Sequence, residues 1–358
     1  MVAAAQDKDN EGWYEAFGSG DEGTRLQNGQ DVYGEELEEE EEEEEFEVEE
    51  MLDNEPMHIT GQLFLGSIDA STNERALRAA RIGGVLTLLA NGEDASLDGR
   101  VPLKADGDEA EVITRTRIEL RDDVEEDLLA KLPAILSALS SLLKEVHNRD
   151  ENVLVHCIAG RSRSPAVVVA WILAQDPSNQ SVQEAVDTVR IVRPWIEINA
   201  RFVRDLHLFH AILIAGPSAL DPSVAATLAS RSFPRLDFGP SLVENILLGK
   251  KLVTMRLLSD DDDDKNSDLA EIFPHSTVIG TTAHSSSDTE RIPERKRFAL
   301  LRVGRIDTKT LSSIDSATLH KSGFETCEEV LQVLQQFYSH VSMETPLKML
   351  HFQCIHAL

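Results

Sequence analysis

Cysteine is scarce in this 358-residue chain. Three occur, Cys157, Cys327 and Cys354, with no Cys-x-x-Cys pair among them. That excludes a disulfide framework and a zinc site of the usual spacing, and it fits a reducing compartment, cytoplasmic or nuclear. No apolar run reaches bilayer length; the longest, such as 166–174, read as core, so no membrane span is expected. Residues 1–10 lack an apolar h-region, so a secretory leader is not expected. Nothing in the pattern calls for a metal or an organic cofactor, and nothing fixes the oligomeric state. Positive charge is also short. Lys and Arg number 34 against 64 Asp and Glu, a net charge of −30.

That deficit is uneven. Residues 1–57 hold 22 acidic and two basic residues, and 38–45 is an unbroken run of eight glutamates. Like charges repel, and there is too little apolar surface to offset chain entropy. Residues 1–55 therefore read as a disordered acidic tail. A solubilising role is favoured over an arm that binds a basic partner or screens the active site. Residues 56–215 read as one α/β domain, a central mostly parallel sheet flanked by helices. Its clearest signal is the apolar series Leu128, Leu129, Leu132, Ile135, Leu136, Leu139, Leu142, Leu143 and Val146, a sustained helical stripe. Pro133 predicts that the continuous helix begins near it, after one separate turn. Val153, Leu154 and Val155 form the short apolar run of a buried parallel strand. Residues 216–237 read as a Ser-, Pro- and Ala-rich linker, and 238–358 as a second domain of short strands. The five aspartates 260–264 lack the glycine and terminal glutamate of an EF-hand loop and read as a solvated loop.

Chemistry concentrates where the strand at 153–155 runs through a glycine-bearing loop into the helix predicted from Ser164. A helix N-terminus offers unpaired N–H groups and the positive end of its dipole. A loop of Ile158, Ala159, Gly160, Arg161 and Ser162 around that end would cup a tetrahedral dianion, with Gly160 allowing close backbone approach. Arg163, six residues after Cys157, can fork two phosphoryl oxygens. The same positive field favours a thiolate at Cys157, which could attack phosphorus and form a cysteinyl-phosphate without a metal. Ser164 can hydrogen-bond the sulfur and help expel it. His156 would shape the loop, and Arg161 would point outward to attract anions. The leaving oxygen needs a proton, which a carboxylic acid on the loop before the long helix could supply. Asp122 and Asp123 both fit.

The series His156-Cys157-Ile158-Ala159-Gly160-Arg161-Ser162-Arg163-Ser164 resembles the signature of dual-specificity protein phosphatases. The stretch 58–67 resembles their opening segment. Arg193, Pro194 and Asn199 resemble their Arg-Pro-x-x-x-x-Asn element, although Ile198 stands where a proline is frequent. In that family the general acid lies five residues before an Asp/Asn-Leu pair. Asp127-Leu128 is such a pair, and the resemblance selects Asp122. It implies an enzyme with a shallow pocket, hydrolysing phosphotyrosine and phosphoserine or phosphothreonine in proteins.

In the second domain, Gly249, Lys251, Thr254 and Arg256 resemble the Gly-x-Lys-x-x-Thr-x-Arg signature of ASCH domains, a PUA-like β-barrel family associated with RNA. The similarity is greatest to small bacterial members that hydrolyse N4-acetylcytidine. It implies an α+β PUA-like barrel over about 238–356, with Lys251, Thr254 and Glu329 as the candidate site. RNA or nucleotide binding is expected ahead of retained amidohydrolase activity. The alternative is a bifunctional or RNA-directed protein whose phosphatase acts on RNA-associated substrates.

Overall fold

The computed structural model describes residues 53–93, 100–102, 112–257, 267–283, 295–336, 338 and 340–358. Most of the predicted acidic tail and the aspartates 260–264 lie outside them. The first sheet contains β1 (Met57–Thr60), β2 (Leu63–Gly66), β3 (Ile82–Leu89), β4 (Arg100–Pro102), β5 (Val112–Glu119) and β6 (Asn152–His156). Their spatial order is β1-β2-β6-β3-β5-β4. Strands β2, β6, β3 and β5 run parallel, and the edge strands β1 and β4 are antiparallel. All eight residues of β3 are buried, as expected of a central strand covered on both faces.

Six helices accompany this sheet: α1 (Ile68–Thr72), α2 (Glu74–Ala79), α3 (Leu128–His147), α4 (Arg163–Gln175), α5 (Val182–Val192) and α6 (Ala200–Ile214). The predicted stripe becomes α3, which buries Leu128, Leu129, Leu132, Ile135, Leu136, Leu139, Leu142 and Val146. Truncating any one of these leucines to alanine should cost about 2–5 kcal/mol. The helix does not restart at Pro133. It begins at Leu128 and carries the proline inside. Its first turn is held independently of the bond that Pro133 cannot donate. Asp127 Oδ1 caps the Ala130 amide at 3.0 Å, and Asp205 Oδ2 accepts from the Leu129 amide at 3.3 Å.

Within 216–237, read as a linker, the chain forms α7 (Pro222–Ala229) and begins β7 (Arg235–Phe238). Ala225 and Leu228 of α7 are buried against the first core. Asp221 caps this helix and Pro222 starts it, a local signal that the Ser- and Ala-rich composition obscured. There follow α8 (Val243–Leu247), β8 (Val253–Leu257), α9 (Ser267–Ala270), β9 (Thr277–Ala283), β10 (Arg295–Thr310), α10 (Ser316–Ser322), α11 (Cys327–Leu334) and β11 (Pro346–Ala357).

The second sheet has the order β7-β9-β10-β11-β8. It curls without closing. Among the described residues no ladder joins its edges β7 and β8. Instead Arg256 of β8 reaches across, donating from Nη2 to the Asp237 carbonyl of β7 at 2.7 Å, with its guanidinium over Phe238. A half-barrel thus stands where the sequence predicts a barrel.

The two sheets share apolar packing. Ile279, Leu300 and Ile355 of the second sheet join the core built on α3, α4 and α6. After α6 the chain bonds directly to β11, Ser218 N to Cys354 O at 3.0 Å and Leu220 N to Ile355 O at 3.2 Å.

Candidate active site

The loop between β6 and α4 has an ordered polarity. Its carbonyls are engaged on the outside: Ile158 O accepts from the Ile68 amide at 2.8 Å and Arg161 O from the Glu197 amide at 2.7 Å. Gly160 O accepts from Arg193 Nε at 2.8 Å and Ala159 O from Arg193 Nη2 at 3.1 Å. Among the described residues, none of the amides of Ile158, Ala159, Gly160, Arg161 and Ser162 donates to a protein acceptor. Carbonyls tied back and amides left free make an anion-binding nest at a helix N-terminus.

Arg193 holds this arrangement from behind. It is fully buried, donates from Nη1 to Asp53 Oδ1 at 2.8 Å with Nη2 on the second oxygen, and lies 5.0 Å from the Trp195 ring. Gly160 has φ +62°, and a Cβ there would sit 2.5 Å from both the Gly66 carbonyl oxygen and Arg193 Nη2, so no larger residue fits.

Cys157 is buried to 2% exposure, and Ser164 Oγ lies 3.2 Å from its sulfur. His156 Nδ1 donates to the Cys157 carbonyl at 3.0 Å, which leaves Nε2 to accept from Thr87 Oγ1 at 2.8 Å. Burial pushes the imidazole down to about 4, with Arg115 and Arg163 adding to the effect against the Cys157 carbonyl bond. His156 is therefore a neutral brace at ordinary pH, as the sequence suggests.

Arg163 is 5% exposed. Its Nη1 donates to Glu93 Oε2 at 2.6 Å and to the Leu120 carbonyl at 3.2 Å, while Nε is buried with no hydrogen-bond acceptor. Burial works against ionisation of Glu93, but the hydrogen bonds from Arg163 and the Ala90 amide outweigh it and hold its carboxyl below the usual range. Arg161 is exposed, its charge paired with Glu197 at 2.6 Å.

The two carboxylates left open by spacing separate in the structure. Asp122 turns into the loop: Oδ1 accepts from Ser162 Oγ at 2.7 Å and from Asn199 Nδ2 at 2.6 Å, and Oδ2 is 3.9 Å from Arg163 Nε. Asp123 is committed to the turn itself, accepting from the amides of Glu125 and Glu126 at 2.9 Å and pairing with Arg121. The loop carrying both is anchored by buried Glu126, which takes the Arg121 amide at 3.0 Å and Lys131 Nζ at 3.1 Å. Glu93, Thr87 and Asp53 were absent from the sequence reading. They lie 70, 69 and 140 positions from their partners, with no local pattern to announce them. Arg193 and Asn199 had been noted only as parts of a motif.

The three candidate residues of the second half each bond to a different group. Lys251 is 4% exposed, donates to the Ser322 carbonyl and faces the Phe324 ring at 5.8 Å. Burial, with Arg256 adding, lowers its ammonium to about 8. Thr254 Oγ1 accepts from Arg256 Nη1 at 2.5 Å. Glu329 is exposed in the first turn of α11 and accepts the Glu325 amide at 2.9 Å. Among the described residues no hydrogen bond joins any two of Lys251, Thr254 and Glu329. Elsewhere in this half, a cavity of about 500 Å³ is lined by Pro217, Leu252, Arg302, Lys321, His351 and Gln353 among others.

The family described as "Dual specificity phosphatase, catalytic domain" matches residues 93–212. The chain is 34% identical over 147 residues to dual specificity protein phosphatase MPK-4 of Drosophila melanogaster, covering 41% of this chain and 34% of that protein. It therefore spans about a third of that relative's length. It is 31% identical over 159 residues to human dual specificity phosphatase 28, covering 44% of this chain and 80% of the human protein. Among solved structures, human DUSP28 matches at 26% identity with a TM-score of 0.33, over 42% of this chain and 89% of that one. Family match, relatives and loop coincide on one segment, and the chain belongs to the dual specificity phosphatase family.

Proposed function

We propose that the chain is a cysteine-dependent phosphatase that hydrolyses phosphotyrosine and phosphoserine or phosphothreonine in proteins. The observation that carries this reading is the loop beside Cys157, whose five amides 158–162 have no protein acceptor among the described residues while every carbonyl of Cys157–Arg161 is held by another group. The amides and Arg163 Nε would hold the phosphoryl oxygens. The Cys157 thiolate attacks phosphorus, the S–P bond forms and the P–O bond breaks. The protonated carboxyl of Asp122 gives its proton to the departing oxygen. Water then attacks the cysteinyl-phosphate, its proton passes to the Asp122 carboxylate, and the S–P bond breaks to release phosphate. Ser164 Oγ, 3.2 Å from the sulfur, stabilises the returning thiolate. Glu93 holds Arg163 by one nitrogen and leaves Nε for substrate. Vanadate-sensitive hydrolysis of an aryl phosphate by the full chain tests this. No turnover by the wild type ends the proposal.

A second activity is supported by one observation. The cavity is lined by Arg302, Lys321, His351 and Gln353 among others, with Arg302 bonded to the Ile212 and Leu213 carbonyls and to Gln353, and His351 to Asp307. Lys321 at this lining, in a region that resembles PUA-like domains, is what supports an anionic ligand, RNA or a nucleotide. Titration of the full chain with an oligoribonucleotide should give affinity that falls with salt. No binding at low salt removes this reading. N4-acetylcytidine hydrolysis would require Lys251, Thr254 and Glu329 to meet on one substrate, and their separate partners do not support it.

A further inference from the structure

Arg231 lies between α7 and β7, beyond the end of the family match at residue 212. Its guanidinium nevertheless reaches back to the base of the loop that carries Asp122. Nη1 donates to Asp127 Oδ1 at 3.0 Å, and Nη2 donates to Asp205 Oδ1 at 2.6 Å. Asp127 is the N-cap of α3, and the same oxygen accepts the Ala130 amide. Asp205 is fully buried on α6, and its other oxygen accepts the Leu129 amide and Arg201 Nε, each at 3.3 Å. Arg231 thus shares with Arg201, which lies 3.9 Å from Asp127 Oδ2 and 3.3 Å from Asp205 Oδ2, the neutralisation of two carboxylates that together fix the start of α3, and Arg231 takes the shorter contact with each.

We propose that Arg231 is a positioning residue for the proton donor, through which the second half of the chain sets the geometry of the Asp122 loop. Asp123 closes the turn of the loop 121–127, and its exit is held by the adjacent Glu126, bonded to the Arg121 amide and Lys131, and by Asp127. Arg231 stands between Leu228 and Phe233, both buried in the first core, and is also tied to the second module. Four residues later the chain enters β7, and Arg297 Nη2 of β10 bonds the Ala229 carbonyl at the end of α7 at 2.9 Å. A displacement of this module would therefore be felt at the foot of the acid loop. Proton transfer is steep in distance; misplacing a catalytic group by about 1 Å can cost on the order of a hundredfold.

The inference rests on Asp122 as the proton donor, and the test separates the two claims. Full-length wild type, Asp122→Asn, Arg231→Ala and Arg231→Lys are compared on 4-nitrophenyl phosphate, a good leaving group, and phenyl phosphate, a poor one. Arg231→Ala is expected to lose roughly tenfold in kcat on phenyl phosphate and less than about twofold on the nitrophenyl ester, with KM little changed. Arg231→Lys, which can reach only one carboxylate, should fall between. An equal loss on both esters would mark a merely structural role and overturn the proposal. So would wild-type behaviour of Arg231→Ala on both while Asp122→Asn discriminates between them. If Asp122→Asn loses equally on both, the donor assignment falls and takes the Arg231 role with it. Should Arg231→Ala fail to fold, Asp127→Asn makes the same comparison. Asparagine keeps the cap on the Ala130 amide but removes the charge that Arg231 grips, and the same leaving-group-selective loss is expected.

Discussion

Two regions of this chain bury basic side chains, and they use them in opposite ways. Around Cys157 the polar groups converge. His156, Ser164, Arg193, Asp122 and Asn199 all bond to the loop 157–164 or to a residue that does. In the second sheet they diverge. Lys251 serves Ser322, Arg256 links β8 to β7, and Glu329 closes the turn into α11. A convergent cluster leaves donors free at one point, whereas a divergent one uses its donors to stitch the backbone. Burial and shifted ionisation occur in both regions, so neither property alone marks a site. The direction in which the free donors point distinguishes the two.

The comparison can be broken most decisively at the nucleophile. Cys157→Ser should lower aryl phosphate turnover by about 10⁴-fold or more, since removal of a nucleophile disables the whole unit. Lys251→Met should leave that turnover within about twofold; a large loss would mean that the second sheet takes part in the chemistry. The next effect belongs to the acid loop. Asp122→Asn should cost roughly a hundredfold on a poor leaving group, and Asp123→Asn much less in kcat, because Asp123 shapes the turn rather than facing the nest. Matched losses in steady-state kinetics would void the distinction drawn between them.

The buried bases sharpen the comparison through pH. His156 has its folded pKa lowered from 6.5 to about 4, so the native state refuses a proton that the unfolded chain accepts. Stability from this group is complete above pH 6.5 and is lost as pH falls toward 4, by roughly 3 kcal/mol. Lys251, lowered from 10.5 to about 8, obeys the same sign in another window. Its burial penalty is full below pH 8, and stability rises between pH 8 and 10.5, by an amount on the order of 3 kcal/mol. Denaturant midpoints across both windows should show two separate slopes. The lower is removed by His156→Asn and the upper by Lys251→Met.

The smallest contrast is between two glycines with positive φ. Gly249 (φ +67°) faces open space, so Gly249→Ala should cost about 1–2 kcal/mol of backbone strain alone. Gly160→Ala adds a clash with the Gly66 carbonyl and should cost more and impair turnover. Thermal unfolding of the pair tests the ranking, and equal costs would contradict it.

Much of the first half was legible in the sequence because its signals are local. The apolar stripe of α3 needs only its own periodicity, and the strand, glycine loop and helix around Cys157 are contiguous. Residue type allowed both Asp122 and Asp123, and only the resemblance, through the Asp127-Leu128 pair, selected Asp122; the physical difference is that Asp122 meets Ser162 and Asn199, 40 and 77 positions away. The start of α3 was misplaced because Pro133 is a strong local signal, while the restraint that overrides it comes from Asp205, 76 positions from Leu129. In the second half, short strands and scattered basic residues carried little positional information. The motif placed Lys251 and Thr254 near a turn and a strand and Glu329 on a helix, and Glu329 lies exposed in the first turn of α11.

Local sequence alone specified the α/β class of the first domain, the candidate nucleophile Cys157, the arginine six residues beyond it and the glycine between them. These follow from backbone dihedral preference and from side chains held within one loop and one helical turn. Tertiary contacts alone show what holds Asp122 against the loop, that Glu93 and Arg193 brace that loop, that the second sheet stays an open curl, and that Arg231 returns to the foot of the loop carrying Asp122. These depend on strand order and on how the two sheets share a core. Such contacts join residues tens to well over a hundred positions apart, and no local pattern encodes them.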